Sequence, residues 1–600
     1  MTSALTWQEL RDLNLSGLED AADGWAEVRN RADAARDDVD HRMTARLRDS
    51  QEGEAEQAAV KRLQRLSENF QYVYVECGLA STALDGLANE LRPHQRAVTE
   101  AVEDATALKF TVHADGSVSY PAAGEKPDGT TAAGGTVEGH GGWWDGIVDW
   151  PAQALDPNPN RAKAQDIADR IGRAVRAARE VDSSYAEAIG RLKTKPGLEV
   201  TDAMWTDAYR DSGATREAAE GYLDLGDVPT ELAPADRKRW WDGLSEDERQ
   251  QYLTLYPDAI GNLDGIPATA RDEANRTYLP LLMGKLETVD TEEARNQLAG
   301  LEVIDHKLRE GSHPPMYLLG VDDEGNGRAI VSYGNPDTSR NVSAYVPGLG
   351  TSLDEAFARN DLKRAQDTAL AARMYDPSSA SIVWLGYDAP QLPASEILDN
   401  ADVMSKDHAA AGAPAYNAFM DGLSATNEHA DPHITAIGHS YGSLTVGLAA
   451  QERGGIPGAD DIILVGSPGV DAGNASELGV GKEHVYVGAA ENDPVTKLPS
   501  KSEVAGGAGG LIFGPLGGYV GYELADIGDD DIWFGKDPAS EAFDANRFRV
   551  DDGPRPFLDG EGATPAHSNY FDPEKDPEST QNIGAIVANR PDLITTESPR

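Results

Sequence analysis

Cysteine is nearly missing: Cys77 is the single thiol among 600 residues. One cysteine excludes an intramolecular disulfide and a cysteine-based zinc site. Set beside apolar residues in a helix-periodic stretch, it is expected to be a buried, inert thiol. Basic side chains are few beside acidic ones, 53 against 102, for a net charge of −49. Such a surface repels phosphate backbones and anionic membranes, so no nucleic-acid partner is expected, and most of the charge is read as a solvated face. Long apolar runs are lacking as well. No stretch approaches the ~18 residues a membrane span needs, so no stable membrane insertion is expected. The opening "MTSALTWQELRDLN" has no basic region followed by an apolar core, so no secretory leader is visible. The expected location is cytoplasmic, with leaderless export the lesser alternative.

What is present falls into blocks. Six hundred residues exceed one hydrophobic core, so several domains are expected. Residues 1–113 are rich in Ala, Leu, Glu and Arg with apolar positions at three- and four-residue steps, as in "VKRLQRLSENFQYVYV", and predict a helical hairpin or bundle. Residues 114–159 turn to Gly, Pro and Thr and predict a linker, with Trp143 and Trp144 as a pinned pair. Helical periodicity returns over 160–310. There "WWDGLSEDERQQYLTLYPDAIGNLDGIPATARDEANRTYL" holds Ser245 and Glu248 at capping-box spacing, and Pro257 and Pro267 punctuate the run. From 311 to 600, apolar strand-like runs alternate with helices near 353–375, 405–427 and 441–453, the pattern of a mostly parallel sheet covered on both faces. Early runs with no helix between them predict an antiparallel hairpin at the sheet edge.

Glycine is abundant, at 61 residues, so a bare G-x-S-x-G means little without its setting. In "HITAIGHSYGSLTVGLAAQ", residues 433–451, an apolar strand runs into Gly-His-Ser-Tyr-Gly and then a small-residue helix. That is the setting of a nucleophile elbow at Ser440, with Gly438 and Gly442 letting strand and helix approach. A serine hydroxyl needs a base, and on such a sheet the partners follow in the order Ser, acid, His. "HVYVGAAENDPV" offers Asp493 on a turn before Pro494, with Glu491 as its rival. His567, in "TPAHSNYF", is the only histidine downstream. His439 is expected to point away from the serine, and His433 merely starts the strand. The oxyanion hole is expected from the backbone N–H of Tyr441 and of Leu349 or Gly350 in "VPGLGTS". The apolar, glycine-rich tract 505–528 is either a lid or a loop. "GDDD" at 528–531 lacks ligand spacing, and no cofactor or metal is expected.

"YVPGLGTS", "WLGYDAP", "IGHSYGS", "LVGSPGV" and "DPAS", taken together and in order, resemble an actinobacterial α/β-hydrolase family known only as a domain of unknown function. "PDAIGNLDGIPATARDEANR" resembles the segment that precedes the hydrolase core in that family. The resemblance covers roughly residues 235–590. It implies the α/β-hydrolase fold and a triad of Ser440, Asp493 and His567, and it supplies no substrate. The first hundred residues resemble, more loosely, the helical hairpins of type VII secretion substrates. Gln51 stands where the W-x-G turn of that family has tryptophan, and Tyr72 and Glu76 match a Y-x-x-x-E spacing inside a helix. The expected function is cleavage of a small-molecule or lipid-like carboxylic ester through an acyl-enzyme. The alternatives are an acyltransferase with the same triad, or a secretion-associated effector whose N-terminal helices bind a protein partner.

Overall fold

The Ala- and Leu-rich periodicity at the start becomes the helices Trp7–Asp12, Leu15–Asp37 and Glu54–Ala107. The computed structural model describes residues 5–44, 46–47, 53–126, 128–139, 158–192, 197–391, 405–498, 500, 531–555 and 565–600. Trp143, Trp144 and the tract 505–528 lie outside the described residues. Two compact units result: Met1–Asp37 with Arg65–Val200 and Asp207–Val228, and Asp38–Gln64 with Thr201–Thr206 and Pro229–Arg600.

In the first unit, one side chain gathers three carbonyls at the end of the first helix. Gln95 Nε2 donates to the carbonyls of Leu10, Arg11 and Leu13 at 3.1, 3.2 and 2.8 Å. Part of the expected linker is sheet: β1 (Thr111–Val112), β2 (Val118–Tyr120) and β3 (Gly135–Val137) pair antiparallel. Glycines around short Val/Thr/Tyr runs hid these strands. Gly134 is required there, because a Cβ would lie 2.3 Å from the Tyr120 carbonyl. Asn158 ties the sheet to the start of helix Pro159–Arg191 by donating to the carbonyls of Pro121 and Ala133. Cys77 is buried as expected, and burial pushes its thiol up to about 11. Tyr72 and Glu76 are buried in the long helix, and burial, followed by the nearby Asp211, pushes the Glu76 carboxyl up to about 7.

The second unit begins with helices Pro234–Gly243, Glu246–Leu255, Pro257–Gly261, Ala268–Leu286 and Glu292–Glu310. Ser245 and Glu248 form the expected capping box. The strands follow: β4 (Met316–Asp322), β5 (Arg328–Tyr333), β6 (Asn341–Val346), β7 (Ser379–Leu385), β8 (His433–His439), β9 (Ala459–Val465) and β10 (Val485–Gly488). A small hairpin, β11 (Asp531–Ile532) and β12 (Gly535–Lys536), precedes β13 (Asn546–Arg547). Eight strands make one sheet in the order β13-β10-β9-β8-β6-β7-β5-β4. It is parallel from β13 to β7, while β5 and β4 join antiparallel as the expected edge hairpin. β6 and β7 are buried at every residue, as strands covered on both faces must be. Helices Glu355–Arg373, Asp407–Thr426, Tyr441–Gln451 and Pro577–Val587 complete the unit.

The tract 257–277 has a definite task. An edge strand presents unpaired backbone groups, and here side chains satisfy them. Arg276 donates to the Met316 carbonyl at 2.9 Å, Asp272 accepts from Leu318 N–H at 2.7 Å, and Asn275 donates to the Leu318 carbonyl at 2.9 Å. Asn262 closes both groups of Val321 at 2.9 and 3.0 Å, just past the bulge between Leu318 and Gly320. Residues 229–310, expected within a second helical region, are therefore helical but fold with the sheet.

Candidate active site

Ser440 follows the last residue of β8 and caps helix Tyr441–Gln451, with φ 56° and ψ −132°. A non-glycine residue in that region costs about 1–3 kcal/mol, so its surroundings must impose it. The glycines around it show how. A Cβ on Gly438 would lie 2.4 Å from Ser443 Cα, and one on Gly442 would lie 2.2 Å from the Val346 carbonyl. Strand and helix therefore meet at a distance that only glycine permits, and the serine takes the turn. Beneath it, Ser443 Oγ donates to the Ser440 carbonyl at 2.6 Å and lies 2.7 Å from Ser467 Oγ, which in turn accepts from Gly469 N–H at 3.2 Å. The helix N-terminus aims its free N–H groups and positive dipole end at this position.

Asp493 and His567, 74 residues apart, are brought together: His567 Nδ1 donates to Asp493 Oδ2 at 2.9 Å. With the proton on Nδ1, Nε2 is left to accept one. Asp493 has no solvent exposure and accepts two further bonds, from Tyr570 OH at 2.7 Å and Val495 N–H at 3.0 Å. Burial alone would raise its pKa, but His567, Tyr570 and Val495 N–H together hold it below the usual carboxylate value. Glu491 is instead paired with Lys497 Nζ at 2.5 Å and is more than half exposed. Gly466, at φ +58°, leaves room for the imidazole, since a Cβ there would sit 3.0 Å from His567 Cε1 and Nδ1. Among the described residues, no hydrogen bond joins Ser440 Oγ to His567. Such contacts are commonly long in a resting site and tighten on substrate.

The loop after β6 faces the serine: a Cβ on Gly348 would lie 2.6 Å from Ser440 Cβ and 3.0 Å from its Oγ. Tyr387 OH holds this loop by donating to the Pro347 carbonyl at 2.8 Å. Gly350 N–H donates to the Pro390 carbonyl at 2.8 Å, which corrects its expected place in an oxyanion hole. Its φ of 74° shapes the turn instead. Leu349 N–H has no backbone acceptor among the described residues, and Tyr441 N–H, first in its helix, has none within it.

Three contributors escaped the sequence. Tyr570, Gly466 and Ser467 lie within "TPAHSNYF" and "LVGSPGV", but no local pattern in those stretches marked them as partners of the site. Among the described residues no group of three His, Cys, Asp or Glu side chains could hold a metal ion, and no helix is long and apolar enough to cross a membrane.

Comparison with known proteins places these features. The family described as alpha/beta hydrolase matches residues 322–503, a span that contains Ser440 and Asp493 and ends before His567. The uncharacterized protein Rv2079 of Mycobacterium tuberculosis is 29% identical over 392 residues, 60% of this chain and 56% of that protein. The chain thus spans little more than half the length of that relative. The shorter uncharacterized protein Rv0963c of the same species is 36% identical over 210 residues, 33% of this chain and 74% of that protein. Among solved structures, a Pyrobaculum calidifontis esterase aligns at 12% identity over 52% of this chain and 98% of its own, with a TM-score of 0.26, too low to carry an argument.

Proposed function

Because this chain belongs to the α/β-hydrolase family, we propose that it acts as a serine hydrolase of carboxylic esters. The observation that carries the reading is Ser440 held at φ 56° on a strand-to-helix turn, the conformation that lifts a nucleophile out of a sheet. Ser440 Oγ attacks the ester carbonyl while His567 Nε2 takes its proton. Asp493 holds the imidazole in the Nδ1–H tautomer and stabilises the imidazolium. The N–H groups of Tyr441 and Leu349 receive the developing oxyanion, each such donor contributing about 10²- to 10³-fold to turnover. His567 then returns the proton to the leaving alcohol oxygen, and the acyl group stays on Ser440. Water, deprotonated by His567, attacks the acyl carbonyl, and the acid leaves as Ser440 regains its proton. A small-molecule or lipid-like ester fits this chemistry.

The test is labelling with a fluorophosphonate, followed by a panel of p-nitrophenyl esters. Wild-type protein should be labelled at Ser440, and Ser440→Ala should lose both labelling and ester turnover with the fold intact. Persistent labelling of that variant would remove Ser440 from the role.

A further inference from the structure

His439 ends β8 next to the serine, and its side chain is turned toward the base loop. Its Nε2 lies 2.8 Å from the main-chain carbonyl oxygen of His567, 128 positions away. A carbonyl only accepts, so Nε2 carries the proton and Nδ1 is the bare acceptor of a neutral ring. That Nδ1 is buried without a hydrogen-bond partner. The ring stands 4.7 Å from the His567 ring, centroid to centroid, at 30°. Aromatic faces enclose the rest: Tyr345 at 6.4 Å, Tyr570 at 6.1 Å and Phe571 at 5.8 Å.

An unpartnered buried acceptor is a cost that an apolar residue at position 439 would avoid. The imidazole therefore needs a compensating use, and its one bond goes to the backbone of the residue that must face Ser440. Neighbouring groups agree with a neutral ring. Burial first, then His567 and Arg364, hold His439 well below the ordinary imidazole value. Tyr345 faces it from β6 with Asp361 and Arg364 bonded to its hydroxyl, and Tyr570 and His567 face it from the base loop with Asp493 behind both.

We propose that His439 is a positioning residue, which ties the nucleophile's own strand to the main chain of His567 and so sets the distance between Ser440 Oγ and His567 Nε2. This rests on the serine-hydrolase reading above. Because strand β8 carries both His439 and the approach to Ser440, one bond fixes base and nucleophile to the same element.

The test compares fluorophosphonate labelling rates of full-length wild type, His439→Phe and His439→Gln. Phenylalanine keeps the ring volume without a donor, whereas the Gln amide N–H reaches the carbonyl as Nε2–H does. His439→Phe should label about 10- to 100-fold more slowly, as expected for a reacting group displaced by an ångström, and His439→Gln should recover most of that loss. In proton NMR, the low-field signal of the His567 Nδ1–H bonded to Asp493 should broaden in the Phe variant and persist in the Gln variant. Should His439→Phe fail to fold, His439→Met supplies the comparison without a donor. Reduced thermal stability with an unchanged labelling rate, or equal loss in the Phe and Gln variants, would overturn the proposal. A wild type that is never labelled at Ser440 would instead overturn the hydrolase reading itself.

Discussion

Glu491 and Asp493 stand two positions apart in sequence and meet opposite surroundings. The first is half exposed against Lys497, and the second is sealed under three hydrogen bonds. Asp493→Asn should therefore lower ester turnover by up to about 10⁴-fold with binding largely kept, since the imidazole loses its tautomer and its counter-charge. Glu491→Gln should cost far less. Turnover on a short ester decides between them, and a collapse in Glu491→Gln alone would move the acid to that residue. At this scale the strand-turn-helix pattern, the Asp-Pro turn and the lone downstream histidine put forward Ser440, Asp493 and His567, and the fold sets His567 Nδ1 2.9 Å from Asp493 Oδ2. Tyr570 and His439 were not legible. Their partners lie 77 and 128 positions away, and nothing in a tyrosine or histidine codon announces which distant carboxylate or carbonyl it will meet.

Strands β8, β9 and β10 carry the site at one end and a polar cluster at the other. His433, the first residue of β8, places Nε2 3.0 Å from Asp461 Oδ2, while His484 Nδ1 lies 2.8 Å from Asp461 Oδ1. Burial would lower the His433 pKa, but the adjacent Asp461 carboxylate outweighs it and the net shift is upward from 6.5. A histidine with a raised folded pKa contributes stability that is fully present below 6.5 and lost as pH climbs through the folded value. Asp461→Asn should thus destabilise the fold more below that pH than near pH ~9. Urea melts at the two pH values measure it, and an equal cost at both would remove the ion pair from the account. Elements of this central sheet were readable because parallel strands buried on both faces carry apolar runs, as in "SIVWL" of β7 and "IILV" of β9. Proline was a mixed guide. Pro257 and Pro267 do open helices, yet Pro93, Pro280 and Pro414 lie inside helices that continue through them. Packing outweighed local propensity there.

A net charge of −49 acts on every part of the chain at once. Like charges at this density repel one another in the folded state, and salt shortens their reach from about 10 Å at 0.1 M to about 3 Å at 1 M. The thermal midpoint should rise with sodium chloride between ~0.01 and ~0.5 M; a flat or falling midpoint would mean that local ion pairs dominate. Composition made the charge and the change of rhythm near residue 311 legible. It could not show that helices before that point group with the sheet, because Asn262, Asp272, Asn275 and Arg276 look like any polar residues of an amphipathic run. What those four side chains do to β4 has a consequence for the molecule in company. A sheet whose outermost rung is already occupied offers nothing for a stranger's backbone to copy. At that edge, crowding the molecules together should produce neighbours and not a growing ribbon.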